Sequence, residues 1–145
     1  MSWQDIRPLA VGVAFRDERE EILLSRLRDE HADETFYRPI GGGIEFGELS
    51  EETLAREFRE ELSVEVVEHE LLETLESTFT FHGEEGHEIW FLYEVEFVED
   101  WPYEREEFEI HETEHGHDET FPAEWVPIDE LPDVTVYPTN LAEII

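Results

Sequence analysis

A short stretch of the sequence places three glutamates where their carboxylates can act together. Residues 50–62 predict a helix with an apolar stripe, and Glu57, Glu60 and Glu61 fall on one arc beside that stripe at about 100° per residue. Glu57 and Glu61 are helix neighbours, and like charges so placed destabilise an isolated helix. A divalent cation would reverse this cost, because hard oxygen ligands suit Mg²⁺ or Mn²⁺ with substrate phosphates completing the coordination.

The acidity of the whole chain offers a simpler interpretation of these glutamates. Asp and Glu make up 41 of the 145 residues, so a solvated acidic helix face is not unusual here. The wider spacing favours a site, because Gly, five residues, Glu, seven residues and then Arg-Glu-apolar-any-Glu-Glu-any-Gly-apolar is a fixed pattern. This pattern resembles the Nudix box, and its matching positions are Gly42, Glu48, Arg56, Glu57, Phe58, Glu60, Glu61 and Val64. Only Ser63 departs from it, since the family has Gly there.

The resemblance implies a role for each matching residue. Glu57 and Glu61 would be the principal metal ligands, Glu60 would share an ion, and the carbonyl of Gly42 would face the metal. Arg56 would pair with the box carboxylates and hold them in position. Glu48 would support the junction between loop and helix or reach a metal through water. In the preceding loop, Gly41 and Gly42 are expected to bind substrate together with Arg38, which could instead pair with Glu45.

The resemblance also implies an activity. Nudix enzymes hydrolyse a nucleoside diphosphate linked to another moiety, and metal ions neutralise the pyrophosphate and activate water for in-line attack. We therefore expect a pyrophosphohydrolase with Mg²⁺ or Mn²⁺ as cofactor and a small nucleotide-like substrate. A Nudix-like module that binds a nucleotide without cleaving it is the alternative, although such a module would not need the box acids. An acidic interaction domain that binds only hydrated cations is a third interpretation.

Residues outside the box are less closely specified by the sequence. Family members often take a general base from a late loop, which points to Glu119, with Glu112 and Glu114 as competitors. Glu88 begins an apolar strand after a turn and is a further candidate for the active site. A solvated carboxylate is the competing interpretation of each. Residues 115–118 combine two histidines with an aspartate, but a mobile loop explains them better than a metal site.

The elements that must position these residues follow from hydrophobic periodicity and turn residues. Large and small residues alternate over 9–15, which predicts a strand with a tightly covered second face. The other predicted elements are a turn at 16–20, a strand at 22–24, a strand-loop-strand at 36–48, a helix at 50–62 with Ser50 as N-cap, strands within 64–81, a turn at 83–86, a strand over 89–97, a loop at 99–120, a strand at 125–126, a helical turn at 129–131 and a helix at 139–145. Together they predict one α/β (α+β) domain over residues 1–145, an α/β/α sandwich with a mixed sheet.

Composition excludes several other classes of protein. The net charge is −32 and all nine basic residues are Arg, so binding of nucleic acid through a basic surface is excluded and an anionic membrane surface is disfavoured. The sequence shows no signal peptide, no membrane-spanning apolar run and no Cys, so we expect a cytoplasmic protein. The acids and the lack of Lys resemble halophilic proteins. A homodimer is possible, since dimers are common among the relatives.

Overall fold

The fold was obtained as a computed structural model that describes residues 5–112 and 119–145, without the side chains of residues 68 and 69. The described residues form eight strands: β1 (Arg7–Arg16), β2 (Glu21–Asp29), β3 (Glu34–Arg38), β4 (Ile40–Gly43), β5 (Val66–Phe81), β6 (Glu84–Phe97), β7 (Glu107–Glu112) and β8 (Glu119–Pro127). The same part of the chain contains three α-helices, α1 (Ser50–Leu62), α2 (Trp101–Glu104) and α3 (Leu141–Ile144), and a 3-10 helix at Ile128–Asp133. No helix in the described ranges is long and apolar enough to cross a membrane.

The strands form a mixed sheet in the order β5-β6-β1-β2-β8-β7, with β3 paired to β2 and β4 paired to β1. The pair of β1 and β6 is parallel, whereas the other pairs are antiparallel. Helix α1 covers one face of β1. The 3-10 helix and α3 contribute to a second core on the other face. The α+β fold with a mixed sheet that the sequence predicts is therefore confirmed.

Strand β1 shows why small and large residues alternate there. Leu9 and Val11 join the core away from the helix, whereas Ala10 and Ala14 face it. At Gly12, a Cβ atom would lie 3.1 Å from the Phe58 ring, so the missing side chain lets α1 pack closely on the strand. The sequence prediction of a tightly covered face is confirmed.

Both ends of α1 agree with the predicted bounds, but its caps differ from expectation. Ser50 is not the N-cap: it is the first helical residue, and its hydroxyl bonds to that of Tyr93 at 2.7 Å. The N-cap is Leu49, whose backbone N–H is bound by the side chain of Glu52 at 2.9 Å. At the other end Ser63 adopts the left-handed conformation, with φ 58°. This is the conformation that Gly, the family residue, adopts without steric cost.

Two turn and loop predictions are wrong. The β5–β6 hairpin turns at His82 and Gly83, so residues 84–86 belong to β6. The predicted loop over 99–120 contains α2, all of β7 and the start of β8. Phe108 and Ile110 alternate with exposed acids and are buried, a pattern too short to stand out in an acidic segment. The last strand is correspondingly longer than the predicted 125–126.

Candidate active site

Two of the three helix carboxylates point into the protein. The side chains of Glu57 and Glu61 belong to residues that are 1% and 6% exposed, whereas the Glu60 side chain is 52% exposed. Ionised carboxylates are rarely buried unless they are paired or bind a metal. The helix face that the sequence singles out is therefore not a solvated surface at Glu57 and Glu61.

The glycine loop lies directly against Glu57. Strand β4 pairs with β1 so that Gly42 stands opposite Ala10. A Cβ atom on Gly42 would lie 2.5 Å from Oε1 of Glu57, so any side chain at this position would displace the Glu57 carboxylate. Glycine at this position is thus needed for close approach of the backbone to a carboxylate rather than for an unusual backbone angle.

Arg56 joins the loop to the helix. Its Nε donates to Oε2 of Glu48 at 2.8 Å, and its Nη2 donates to Oε1 of Glu48 at 2.9 Å. Nη1 donates to Glu57 at 3.0 Å and to Glu60 at 3.3 Å, and Nη2 also donates to the carbonyl of Gly43 at 3.1 Å. The hydrogen bonds from Arg56 are the main cause that lowers the pKa of Glu48 to about 2. The pKa of Arg56 is raised, chiefly by Glu48.

The pKa of Glu61 is shifted in the opposite direction from that of Glu48. Burial, followed by the charges of Glu57 and Glu112, raises the pKa of Glu61 to about 10. The Glu61 side chain shares a hydrogen bond with Glu112, and its Oε2 atom has no hydrogen-bond partner among the described residues. Strand β7, which the sequence analysis interpreted as loop, places Glu112 here.

A narrow cleft opens beside these carboxylates. It lies between β2, the glycine loop and the β7–β8 pair, and its lining includes Ser25, Leu27, Arg38, Gly41, Glu61, Ile110, Glu112 and Phe121. Arg38 acts electrostatically on Glu61, and Glu45, its predicted partner, instead lies 3.8 Å from Arg56. The structure thus brings Arg38, Gly41 and the buried helix carboxylate of Glu61 together around one space, whereas Glu57 lies against the neighbouring Gly42.

Other predicted residues lie elsewhere. Glu119 is exposed and stands across from Glu112 in the β7–β8 ladder. Glu88 is buried in β6, on the face that carries Trp90, away from α1. Glu114 and the residues 115–118 lie outside the described residues. Glu112 itself stood among the competitors in the sequence, and only the pairing of β7 with β8 shows its position.

The donor set suits a hard divalent cation, although its side chains are not yet arranged around one. Within residues 5–112 and 119–145, no three His, Asp or Glu side chains form a ready ligand group. Arg56 engages Glu57 and Glu60, and Glu61 bonds to Glu112. The unpartnered Oε2 of Glu61 and the close approach of Gly42 to Glu57 nevertheless fit a cation bound among oxygen ligands.

Solved structures of other proteins share the fold of this chain. No curated protein matches the chain. The solved MutT NUDIX hydrolase from Burkholderia pseudomallei is similar, with TM-score 0.67 and 23% identity over 98% of this chain and 99% of that one. The E. coli ORF135 protein has TM-score 0.64 and 20% identity, over 97% and 89%. MutT protein from Methanosarcina mazei Go1 has TM-score 0.63 and 15% identity, over 99% and 93%.

These structural likenesses show a shared fold, and the family follows from the sequence itself. A family model described as NUDIX domain matches residues 6–144, which is nearly the whole chain. The chain therefore belongs to the NUDIX family, and the enzyme class predicted from its box, a Nudix pyrophosphohydrolase acting on acid anhydrides, is confirmed.

Proposed function

We propose that this Nudix hydrolase uses Mg²⁺ or Mn²⁺ to cleave the pyrophosphate bond of a nucleoside diphosphate linked to another moiety. One observation carries the proposal: the buried carboxylates of Glu57 and Glu61 adjoin Gly42 and a cleft that contains Arg38. Buried carboxylates are costly for folding, because burying charge without full pairing destabilises a protein. Their retention beside a cleft is explained by a reaction that needs them.

Glu57, Glu61 and the carbonyl of Gly42 would hold the metal, with the exposed Glu60 at the periphery. When bound, the cation neutralises charge on the pyrophosphate and polarises the phosphorus centre. It would also supply the positive charge that Glu61 now lacks, since Glu61 is buried beside two other carboxylates. A cation bound here would therefore stabilise the ionised form of Glu61.

The remaining side chains supply positioning and proton transfer. Arg56 keeps Glu57 oriented through a network that also includes Glu48. Arg38, which faces the cleft, is placed to bind a substrate phosphate, since guanidinium groups pair well with phosphate oxygens. Glu112 is our candidate for the general base in place of Glu119, because it lines the cleft and contacts Glu61 there. It would take the proton from the attacking water.

A panel of substrates tests the proposal directly. Dinucleotides, nucleotide sugars and nucleoside triphosphates would be incubated with Mg²⁺ or Mn²⁺ at high salt, and the products identified in ¹⁸O-labelled water to locate the broken bond. We expect turnover of at least one member and its loss in Glu57→Gln and Glu61→Gln. Glu51→Gln, an exposed change on the same helix, is the matched control. Metal-insensitive binding without product would instead indicate a nucleotide-binding module and overturn the hydrolase proposal.

Three further properties belong to the proposal. We propose that the substrate is a small molecule rather than nucleic acid, because nine Arg cannot offset 41 acidic residues on a phosphate-binding surface. We also propose a cytoplasmic location and allow for a homodimer. Sedimentation at high salt would measure the oligomeric state.

A further inference from the structure

Glu88 is a buried carboxylate that the proposed reaction does not use. The residue is 4% exposed, its Oε1 accepts a hydrogen bond from Trp90 Nε1 at 2.9 Å, and its Oε2 lies 3.6 Å from Nη1 of Arg7. A carboxylate this deeply buried destabilises the fold unless polar partners replace the water that it loses. Trp90 and Arg7 therefore compensate for the burial of Glu88.

Arg7 connects Glu88 to the glycine loop. On one side of β1, Arg7 stands opposite Glu88 in the parallel β1–β6 pair. On the other side, β4 pairs with β1 so that Gly43 stands opposite Leu9, and a Cβ atom on Gly43 would lie 3.0 Å from Nη2 of Arg7. The guanidinium group of Arg7 thus fills the space above Gly43 that a side chain would otherwise occupy.

The same stretch of backbone is held from the helix side as well. The carbonyl of Gly43 accepts a hydrogen bond from Arg56 Nη2 at 3.1 Å, and the N–H of Ile44 donates to the carbonyl of Pro8 at 2.9 Å. One residue earlier, Gly42 contacts the Glu57 carboxylate. The backbone where the loop leaves β4 therefore lies between two guanidinium groups, Arg7 on one face and Arg56 on the other.

We propose that Arg7 and Glu88 form a positioning pair that fixes the Gly42–Gly43 backbone relative to Glu57. The inference rests on the proposed function, since the Gly42 carbonyl and Glu57 are the groups to be aligned for the cation. Arg7 acts through the loop rather than on substrate, because it lies on the face of β1 that carries Leu9, whereas Glu57 lies beyond the opposite face. Partners that orient ligands in this way commonly change metal affinity or activity by about 10–100-fold.

Four variants test the pair: Arg7→Met, Glu88→Gln, the double variant, and Glu94→Gln as matched control. Glu94 lies on the same face of β6 and pairs with Arg19 at 2.9 Å, away from the loop. Three readouts are needed: Mn²⁺ affinity by electron paramagnetic resonance, hydrogen exchange of the Ile44 amide in metal-free protein, and kcat with KM in Mg²⁺.

We expect each single variant to bind Mn²⁺ about ten-fold more weakly, to exchange the Ile44 amide faster and to lose about ten-fold in kcat with KM nearly unchanged. The double variant should bind Mn²⁺ no more weakly, and have a kcat no lower, than the more impaired of the two single variants, because both changes break the same pair. Glu94→Gln should match the wild type. Arg7 is 45% exposed in its side chain, so Arg7→Met keeps the test available if Glu88→Gln does not fold.

Several outcomes overturn the inference. A lower melting temperature with unchanged Mn²⁺ affinity, Ile44 exchange and kcat would show that the pair only stabilises the fold. A rise in KM alone would show that Arg7 binds substrate directly. If the wild type turns over no substrate, the proposed function fails, and the Mn²⁺ affinities with the exchange rates still decide whether the pair positions the loop. Wild-type protein that binds no Mn²⁺ would overturn both.

Discussion

Gly42 and the carboxylate of Glu57 are in direct contact, with no room between them for a side chain. A Cβ atom on Gly42 would lie 2.5 Å from Oε1 and 2.7 Å from Oε2 of Glu57. The contact joins β4, which is paired to β1, to a helix that packs on the same strand. The position of the loop backbone relative to the helix carboxylate is therefore set by steric contact and by the pairing of β1 with β4.

Gly42→Ala should separate these two groups. The added methyl group must push the Glu57 side chain away, since the strand pairing holds the backbone in place. We expect Mn²⁺ affinity and kcat to fall by about 100-fold, because small displacements of catalytic groups have effects of this size. Calorimetric titration with Mn²⁺ and steady-state kinetics would measure both.

A second glycine provides the control for this prediction. Gly47 lies in the same loop with φ 88°, and a Cβ atom there would meet nothing within 4 Å. Gly47→Ala should therefore cost about 1 kcal/mol of stability through backbone strain while leaving Mn²⁺ affinity unchanged. Equal Mn²⁺ affinity in Gly42→Ala and the wild type would mean that Glu57 does not bind the metal from this position.

Glu61→Gln should stabilise the metal-free protein while it removes activity. The folded-state pKa of Glu61 is about 10, well above its ordinary value of 4.5. Between these two values the unfolded chain loses the proton and the folded protein keeps it, so rising pH destabilises the fold across this window. A neutral glutamine removes that dependence. At pH 8 with EDTA we expect the variant to melt at least about 4 °C higher, because pH 8 lies well inside this window and each pH unit within it costs the wild type about 1.4 kcal/mol.

The pH dependence distinguishes this explanation from a general packing effect. The difference in melting temperature between variant and wild type should disappear as the pH approaches 4.5, where unfolded Glu61 is itself half protonated. Glu51→Gln on the exposed side of the same helix should show no such convergence. Parallel curves for Glu61→Gln and the wild type would contradict a raised pKa at Glu61.

Glu112→Gln and Glu119→Gln should separate the two described candidates for the general base. Glu112 lines the cleft and contacts Glu61, whereas Glu119 is exposed across the ladder from it. We expect Glu112→Gln to lower kcat by at least about 100-fold, as loss of a general base does, with Mn²⁺ affinity unchanged. Glu119→Gln should change kcat by less than about three-fold, since a solvated carboxylate takes no part in the transition state.

Titration of the Glu112→Gln and Glu119→Gln variants with Mn²⁺ is the control for this comparison. If Glu112→Gln weakens Mn²⁺ binding as strongly as Glu57→Gln, then Glu112 is a ligand and not the base. If Glu119→Gln causes the larger loss of kcat, the original sequence-based choice of base is correct and our replacement is wrong. The pH profile of kcat/KM in each variant would show which carboxylate contributes the acidic limb.

The helix and its surroundings could be predicted from the sequence because their signals are local. The bounds of α1 follow from a 3.6-residue apolar period, and the small residues Ala10, Gly12 and Ala14 predict a closely packed strand face. The glycine loop was expected from the resemblance to the Nudix box, which sets Gly42 at a fixed spacing before Glu48 and the helix glutamates. Each of these signals lies within one element or two consecutive ones.

What the sequence did not predict depends on pairing between distant parts of the chain. Strand β7 contributes only Phe108 and Ile110 to the core, so acidic neighbours hid its period, and with it the contact between Glu112 and Glu61. The pair of Arg7 and Glu88 exists because β1 and β6 are parallel neighbours. No spacing in the sequence indicates which strands pair in this way, since such contacts are decided by the whole sheet.

Stability should fall as salt is diluted. Nine arginines cannot neutralise 41 acidic residues, so the folded surface repels itself. The Debye length shrinks from about 10 Å at 0.1 M salt to about 3 Å at 1 M, which screens that repulsion more in the compact fold than in the extended chain. We expect the melting temperature to rise by at least about 10 °C between millimolar and molar KCl. Because excluded cosolutes also stabilise proteins, sucrose at equal osmolality is the control. A flat melting temperature, or an equal rise in sucrose, would show that charge repulsion does not limit this fold.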